Sequence, residues 1–511
     1  MNLFDSVPLR PGTPEEFRTL REAFTESHFT EPAVCQRLGL GPLQGFRSRR
    51  DGRATALDLN DALDALIRLF LDGEYVEKAR VEVLLPTALP ELLARMGLLC
   101  DGDQGGCYAP VALYPTESLY IVSDRFNNPD GSVFTTPPDI VYPAITDSTK
   151  DFLSLLPEEP CESFLDVGTG TGVAALYSAK RTAAHAWAVD ITERSVRFTE
   201  FNRLLNGAEN VTVLESDLYD ALGDRTFDRI VAHPPYVPAV RQDVVFRDGG
   251  EDGEQITRKI IEGLPRYLRP GGRFYGRALA TDRKDQPLEQ RIRGWLGEQG
   301  GEFDVLLIGT FTDRLDAAVS AIVKSPEGVS GVQQWRTLFE QLGVTAVFLG
   351  GIVIQRHDRQ RPAFTARRMD RGIRSGAIEW LRRWETAASE AGTEDWILGT
   401  KPTASGNLQL LVRHRIREGK LAPQSYNLDI DSPFPLECRV EPWMVALLTR
   451  ADGTRTCAEL VEEMKGRGLC AADMPASQVT STLRAMMAGG FLEIDGFRPP
   501  RAAESEAPTE G

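Results

Sequence analysis

Cysteine pairs, long apolar runs and excess positive charge are all scarce in this sequence, and each scarcity removes a class of protein. Seven cysteines in 511 residues, at positions 35, 100, 107, 161, 438, 457 and 470, are odd in number and form no Cys-x-x-Cys pair. That pattern argues against a disulfide framework and for reduced thiols. Cys100 and Cys107 lack a second ligand pair at zinc-like spacing, so no metal is expected. No stretch approaches the roughly 20 apolar residues that would span a bilayer. The opening segment MNLFDSVPLRPGTPEEF has no basic flank leading into an apolar core, so the chain reads as cytoplasmic, without a membrane partner. Basic residues number 58 against 74 acidic ones, a formal charge of -16 that disfavours wrapping a long nucleic-acid backbone. One local exception is the arginine-rich stretch 356 to 383, where nine arginines outnumber Asp358, Asp370 and Glu379. It reads as a solvated helix face.

What remains is an ordinary globular balance, 42% hydrophobic and 26% charged, over a length that at roughly 150 residues per domain predicts about three units. Residues 1–125 begin with helical periodicity (PEEFRTLREAF, LNDALDALIRLFL, PTALPELLARMGLL) and end in the β-like CYAPVALYPTESLYIVSDR, an order that predicts a winged-helix-like domain. A Pro- and Gly-bearing bridge follows. Over 140–356, apolar strand-like runs alternate with helical segments, the pattern of a doubly wound parallel sheet and an α/β fold. FDVLLIGT and TAVFLGGIVIQR read as its last two strands. The arginine-rich stretch 357–434 connects to 435–497, a second small α+β, winged-helix-like unit, and the tail 498–511 has the composition of a disordered segment.

The chemistry concentrates in the α/β region. Asp166, Gly168, Thr169, Gly170 and Gly172 follow the strand SFL and precede the helix VAALYSAKR, so the glycines let the backbone turn closely around a ligand at a helix N-terminus. A dinucleotide fingerprint would carry glycine at the position of Val173, so the spacing departs from that class. Asp190, with Ile191 beside it, ends the next strand, where a carboxylate accepts hydrogen bonds from ribose hydroxyls. Asp217 follows the third strand, placed for an adenine amino group, with Leu218 able to cover the ring. Singly, each carboxylate is an ordinary turn or cap residue. Their succession at strand ends makes the cofactor reading.

After the strand FDRIVA comes His233-Pro234-Pro235-Tyr236. Here the sequence resembles the class I S-adenosylmethionine-dependent methyltransferases that carry an Asn-Pro-Pro-Tyr tetrad, which act on planar, conjugated nitrogens. DGGEDGEQITRKIIEGLPRYLRPGGRF, residues 248 to 274, is similar to the matching segment of the peptide-chain release factor glutamine methyltransferases. The resemblance covers about 140 to 280. It implies a Rossmann-like sheet, S-adenosyl-L-methionine as cofactor, and direct transfer of the sulfonium methyl to nitrogen. It further implies that His233 and the Pro234 carbonyl accept hydrogen bonds from the target N–H groups and that Tyr236 packs on the planar group, with His233 also counted in the cofactor pocket.

Histidine in the asparagine position is the departure. Imidazolium has no acceptor nitrogen, so His233 has to be neutral to hold substrate, and activity is expected to fall as pH drops through about 6.5, the unperturbed value. A packed aromatic that never touches substrate is the competing reading. The expected substrate is macromolecular, a protein amide ahead of a nucleic-acid amino group, with small molecules open. From a different class, a cofactor-sensing winged-helix regulator that binds DNA without catalysis also fits, although the Pro-Pro-Tyr run counts against it.

Overall fold

Thr13 caps the first helix through a reciprocal box with Glu16, and Pro14 supplies the fixed φ at its first turn, so α1 (Pro14–Glu26) starts where the sequence signals it. The computed structural model describes residues 7–46, 58–102, 105–129, 131–236, 249–313, 328–369, 374–390 and 393–497. The expected disordered tail 498–511, Arg371 and Asp370 of the arginine stretch, and Asp248 of the 248–274 segment lie outside those residues. The chain divides into two compact units, Met1–Gly300 with Thr310–Asp358, and Gly301–Gly309 with Arg359–Gly511.

In the first unit α1 is followed by α2 (Glu31–Leu38), α3 (Ala62–Leu66), β1 (Val76–Glu77), α4 (Lys78–Leu84), α5 (Leu89–Arg95), β2 (Cys100–Asp101) and β3 (Gly106–Tyr108). The three strands form an antiparallel sheet in the order β1-β3-β2. A tight hairpin, β4 (Ala112–Thr116) with β5 (Leu119–Ser123), comes next, in the register Leu113 opposite Val122. The short helix α6 (Asp147–Leu153), capped by Thr146, leads into the large sheet.

That sheet uses β6 (Cys161–Val167), β7 (Ala183–Asp190), β8 (Val211–Glu215), β9 (Phe227–Ala232), β10 (Leu268–Arg283) and, past β11 (Phe303–Thr312), β12 (Val344–Arg356). The first unit contributes the order β8-β7-β6-β9-β10-β12, with β12 antiparallel to β10 and the others parallel. Order reverses between β6 and β9, so the crevice beyond their carboxyl ends is the topological switch point where such sheets take ligands. The crossovers α7 (Val173–Arg181), α8 (Glu193–Leu205), α9 (Gln255–Tyr267) and α10 (Leu288–Trp295) cover the sheet. Phe164, Leu165, Ile230 and Val231 are fully buried, as strands covered on both faces require.

The N-terminal elements are fastened to this sheet by α8. Asn202 donates to the carbonyls of Val122 and Thr171, each at 2.9 Å, and accepts from Val122 N at 2.8 Å. Arg194 and Asp124 form a buried ion pair at 2.6 Å, and Phe17 meets Phe201 edge-on at 5.3 Å.

In the second unit the body of β11 runs parallel to β13 (Thr365–Met369), and Trp380 stacks near Trp384 on the helix Ser375–Glu390. The arginine stretch differs from the solvated helix face that its charge suggests. Arg361 is buried against Asp304, Arg368 reaches Glu385 at 2.8 Å, and Arg382 meets Glu379 at 3.0 Å. Asp304 and Glu385 lie outside the stretch, so a charge count along it cannot register them, whereas Glu379 pairs with Arg382 within it. The remaining elements are the antiparallel strands Gln409–Arg417, Lys420–Ile430 and Leu436–Val440, the helices Thr393–Gly399, Pro442–Leu448, Cys457–Gly466 and Ala476–Ala488, and the short pair Thr403–Ala404 with Leu492–Glu493. Among the described residues no helix is long and apolar enough to cross a membrane, and no group of three His, Cys, Asp or Glu could hold a metal ion.

Candidate active site

The glycine loop is built from beneath and from the side. Gly168, Gly170 and Gly172 all have positive φ, +72°, +57° and +81°. A Cβ on Gly168 or Gly170 would meet nothing within 4 Å, whereas one on Gly172 would come within 2.7 Å of Thr199 Cγ2. The first two therefore border open space and the third is packed against α8. Beneath the loop, the Asp166 carboxylate is buried and accepts from Thr169 Oγ1 at 2.6 Å and from Ala175 N at 3.3 Å. Burial pushes its carboxyl up to about 7. Thr199 holds the loop from the other side by donating to the Gly170 carbonyl at 2.9 Å.

Asp190 closes the next strand and reaches back to the same loop, its Oδ2 accepting from Gly170 N at 2.9 Å while Oδ1 accepts from Thr192 N at 3.1 Å. Its carboxyl is also raised, by burial first of all. Beside it Ile191 is 53% exposed, a large apolar surface left open at the sheet's carboxyl edge. Ser216 N donates to the Asp190 carbonyl at 2.8 Å, which brings Asp217 and Leu218 next to this edge. Asp217 is exposed, and Leu218 takes the left-handed conformation at φ +50°. Open glycine faces, a carboxylate at the second strand end and apolar side chains to either side make a cradle that fits a nucleoside with a charged side chain.

The tetrad follows β9 directly. Pro235 presents its carbonyl toward Gly249, where a Cβ would come within 2.7 Å of that oxygen, so the 249–253 turn lies close under it only because glycine stands there. His233 Nε2 is 3.0 Å from Ser148 Oγ, and Tyr236 Oη is 3.1 Å from the same oxygen. Arg277 Nε donates to that oxygen at 3.1 Å, and its Nη2 pairs with Asp151 at 2.9 Å. The imidazole lies 5.2 Å from the Phe152 ring and 5.9 Å from Tyr236. Burial, and then the Arg277 charge, pull the His233 imidazolium down to about 3, so the ring is neutral across the ordinary range. This corrects the expectation of an unperturbed value near 6.5.

Ser148 and Arg277 are the residues that sequence reading missed. Ser148 lies just past the bridge segment and Arg277 inside an apolar strand, 129 positions apart, and only the folded chain joins them. The one available signal was the second arginine of the run RFYGRALA, set among apolar residues.

Residues 139–297 match the family described as the methyltransferase small domain. A putative protein N5-glutamine methyltransferase of Methanocaldococcus jannaschii is 31% identical over 141 residues, 26% of this chain and 71% of that protein. The release factor glutamine methyltransferase of Geobacter sulfurreducens is 32% identical over 230 residues, covering 40% and 78%. Among solved structures, a ribosomal protein L11 methylase from Lactobacillus delbrueckii subsp. bulgaricus aligns at 19% identity and a TM-score of 0.24, over 40% of this chain and 75% of that one.

Fold, loop and matches together define an enzyme of class I that takes its methyl group from S-adenosylmethionine. Within that class, the chain belongs to the release factor glutamine methyltransferase family.

Proposed function

We propose that the chain transfers a methyl group to the side-chain amide nitrogen of a glutamine-like residue in a protein. The observation that carries this reading is the neutral His233, anchored with Tyr236 on a single hydroxyl, Ser148 Oγ, at the head of a Pro-Pro-Tyr run. The cofactor supplies an electrophilic methyl on a sulfonium, and its nucleoside is held by the open faces of Gly168 and Gly170, by Asp190 and Asp217, and by the apolar flanks Ile191 and Leu218. Asp166 and Thr169 shape the loop from below, and Gly172 seats it on α8.

Ser148 has one proton and two lone pairs, and Arg277 Nε–H occupies one of those pairs. When His233 donates from Nε2 into the other, the serine proton goes to Tyr236 Oη and Nδ1 is left as an acceptor. That tautomer accepts one amide N–H, the Pro234 carbonyl accepts the other, and Tyr236 packs on the planar group. Holding the nitrogen in line and close removes much of the entropic barrier, and no covalent enzyme intermediate is required.

The flanks select the target in this reading. The order α3-β1-α4-α5-β2-β3 with the sheet β1-β3-β2 supports a winged-helix-like N-terminal domain, and the three helices with a short strand after residue 441 support a second one. Winged helices serve protein as well as nucleic-acid contacts, so their presence is compatible with a protein substrate in the cytoplasm.

The test is to incubate the purified chain with methyl-labelled cofactor and a class I release factor. Label on the protein that survives nuclease, and is lost when the acceptor glutamine is replaced, is the expected result. Label that nuclease releases from a cell extract, with none on protein, would sink the proposal.

A further inference from the structure

A polar cavity of about 360 Å³ lies in the first unit, lined by residues of the turn after Gly249, the start of α9, the end of β10 and one face of α10. Its two acids are already engaged. Glu254 is 2% exposed and accepts from Thr281 N and Thr281 Oγ1, both at 2.8 Å, while its carboxylate is clamped by Arg291. Asp252 pairs with Arg283 at 2.9 Å and caps Glu254 N at 3.0 Å. Those bonds fix Arg283 and Arg291 in place. They leave nothing negative for the third guanidinium, Arg258, which lines the cavity from α9 with no partner among the described residues. Arg291 Nε, on a side chain more than nine-tenths buried, also has no acceptor. Buried N–H donors are nearly always satisfied, so this one is an exception, and it stands in a residue that lines the cavity from α10. Gln290 and Trp295 line the same wall.

From this arrangement we propose that the cavity is a subsite for a carboxylate side chain of the polypeptide substrate, and the proposal rests on the protein-methylating reading above. Three arginines against two carboxylates leave an excess of one positive charge, which balances a carboxylate and underbalances a phosphate dianion. The cavity also shares its wall with the site: the turn that carries Asp252 packs at Gly249 against the Pro235 carbonyl. An acidic residue near the methylated glutamine would be gripped on the far side of the turn that supports the tetrad.

Two measurements test this. The first is thermal denaturation of the full chain in sodium acetate, sodium phosphate or sodium chloride at equal ionic strength. Acetate should raise the midpoint above chloride in wild type and in Arg258→Lys but not in Arg258→Gln. The second is methylation of two glutamine peptides that differ only in a neighbouring Glu or Gln, where wild type should favour the acidic peptide in kcat/KM about tenfold and Arg258→Gln should lose that preference at unchanged kcat. Equal midpoints in acetate and chloride overturn the proposal. A larger rise with phosphate than with acetate overturns the carboxylate in favour of a phosphate ligand. If neither peptide is methylated while the Arg258-dependent acetate effect persists, the subsite stands and the glutamine reading falls.

Discussion

Ser148 Oγ lies 3.0 Å from His233 Nε2, so a residue of α6 reaches across to hold the one side chain in which this tetrad departs from asparagine. Replacing Ser148 by alanine removes an acceptor and a donor from three partners at once. Loss of a net hydrogen bond of about 1 to 1.5 kcal/mol predicts a fall in kcat of about tenfold. Cofactor affinity should stay unchanged. Steady-state kinetics alongside calorimetric titration of the cofactor would show this, and an unaltered kcat would remove Ser148 from the account.

His233 should contribute no acid limb to kcat/KM between pH 5 and 8, because its folded-state value is pulled down to about 3. Stability behaves differently. The folded ring stays neutral while the unfolded ring takes up a proton near pH 6.5, so the favourable contribution is complete above about 6.5 and is lost as pH falls toward 3. His233→Asn should therefore flatten the decline of stability in that window and leave the activity profile unmoved. An activity limb near 6.5 that disappears in His233→Asn would contradict the geometry.

The three glycines of the loop should separate by effect. Gly168→Ala adds a methyl to open space at φ +72°, at a backbone cost of about 1 to 2 kcal/mol, and should chiefly weaken cofactor binding. Gly172→Ala drives the same methyl into Thr199 and should lower the melting temperature more than Gly168→Ala does. Denaturation midpoints read beside cofactor titrations would distinguish the two, and equal midpoints would refute the assignment of packed and open faces.

Asn202→Ala should be costly for a single amide. It leaves the N–H and carbonyl of Val122 and the carbonyl of Thr171 without their partner, and orphaned buried groups cost about 1 to 3 kcal/mol each, partly relieved by water. Urea titration should show a loss of at least about 2 kcal/mol. A change within about 0.5 kcal/mol, the range of ordinary surface substitutions, would show that the hairpin is held elsewhere.

The strands from β6 to β9 were legible because parallel strands buried on both faces write themselves as apolar runs, and Asp166, Asp190 and Asp217 end or follow those runs at turns that glycine and polar residues announce. The tetrad was legible as a motif. What the sequence could not show is convergence. Ser148, Arg277 and Asn202 lie in segments with no chemical signal of their own, and their importance arises from which atoms the fold brings within hydrogen-bonding distance. Arg361 gives the converse case. A charge run counts signs along the chain, whereas Asp304, 57 positions earlier, decides that this guanidinium turns inward.

Because Asn202 grips the Val122 backbone and the Thr171 carbonyl with one amide, the hairpin β4–β5 and the glycine loop are tied to one side chain of α8, with Asn206 on the hairpin and Thr199 on the loop as further ties from the same helix. A displacement of the amino-terminal elements is therefore transmitted to the backbone that faces the cofactor without any change at the tetrad. An exchange of that flank for another would have to carry the hairpin with it, or the glycine loop would lose one of its ties to α8.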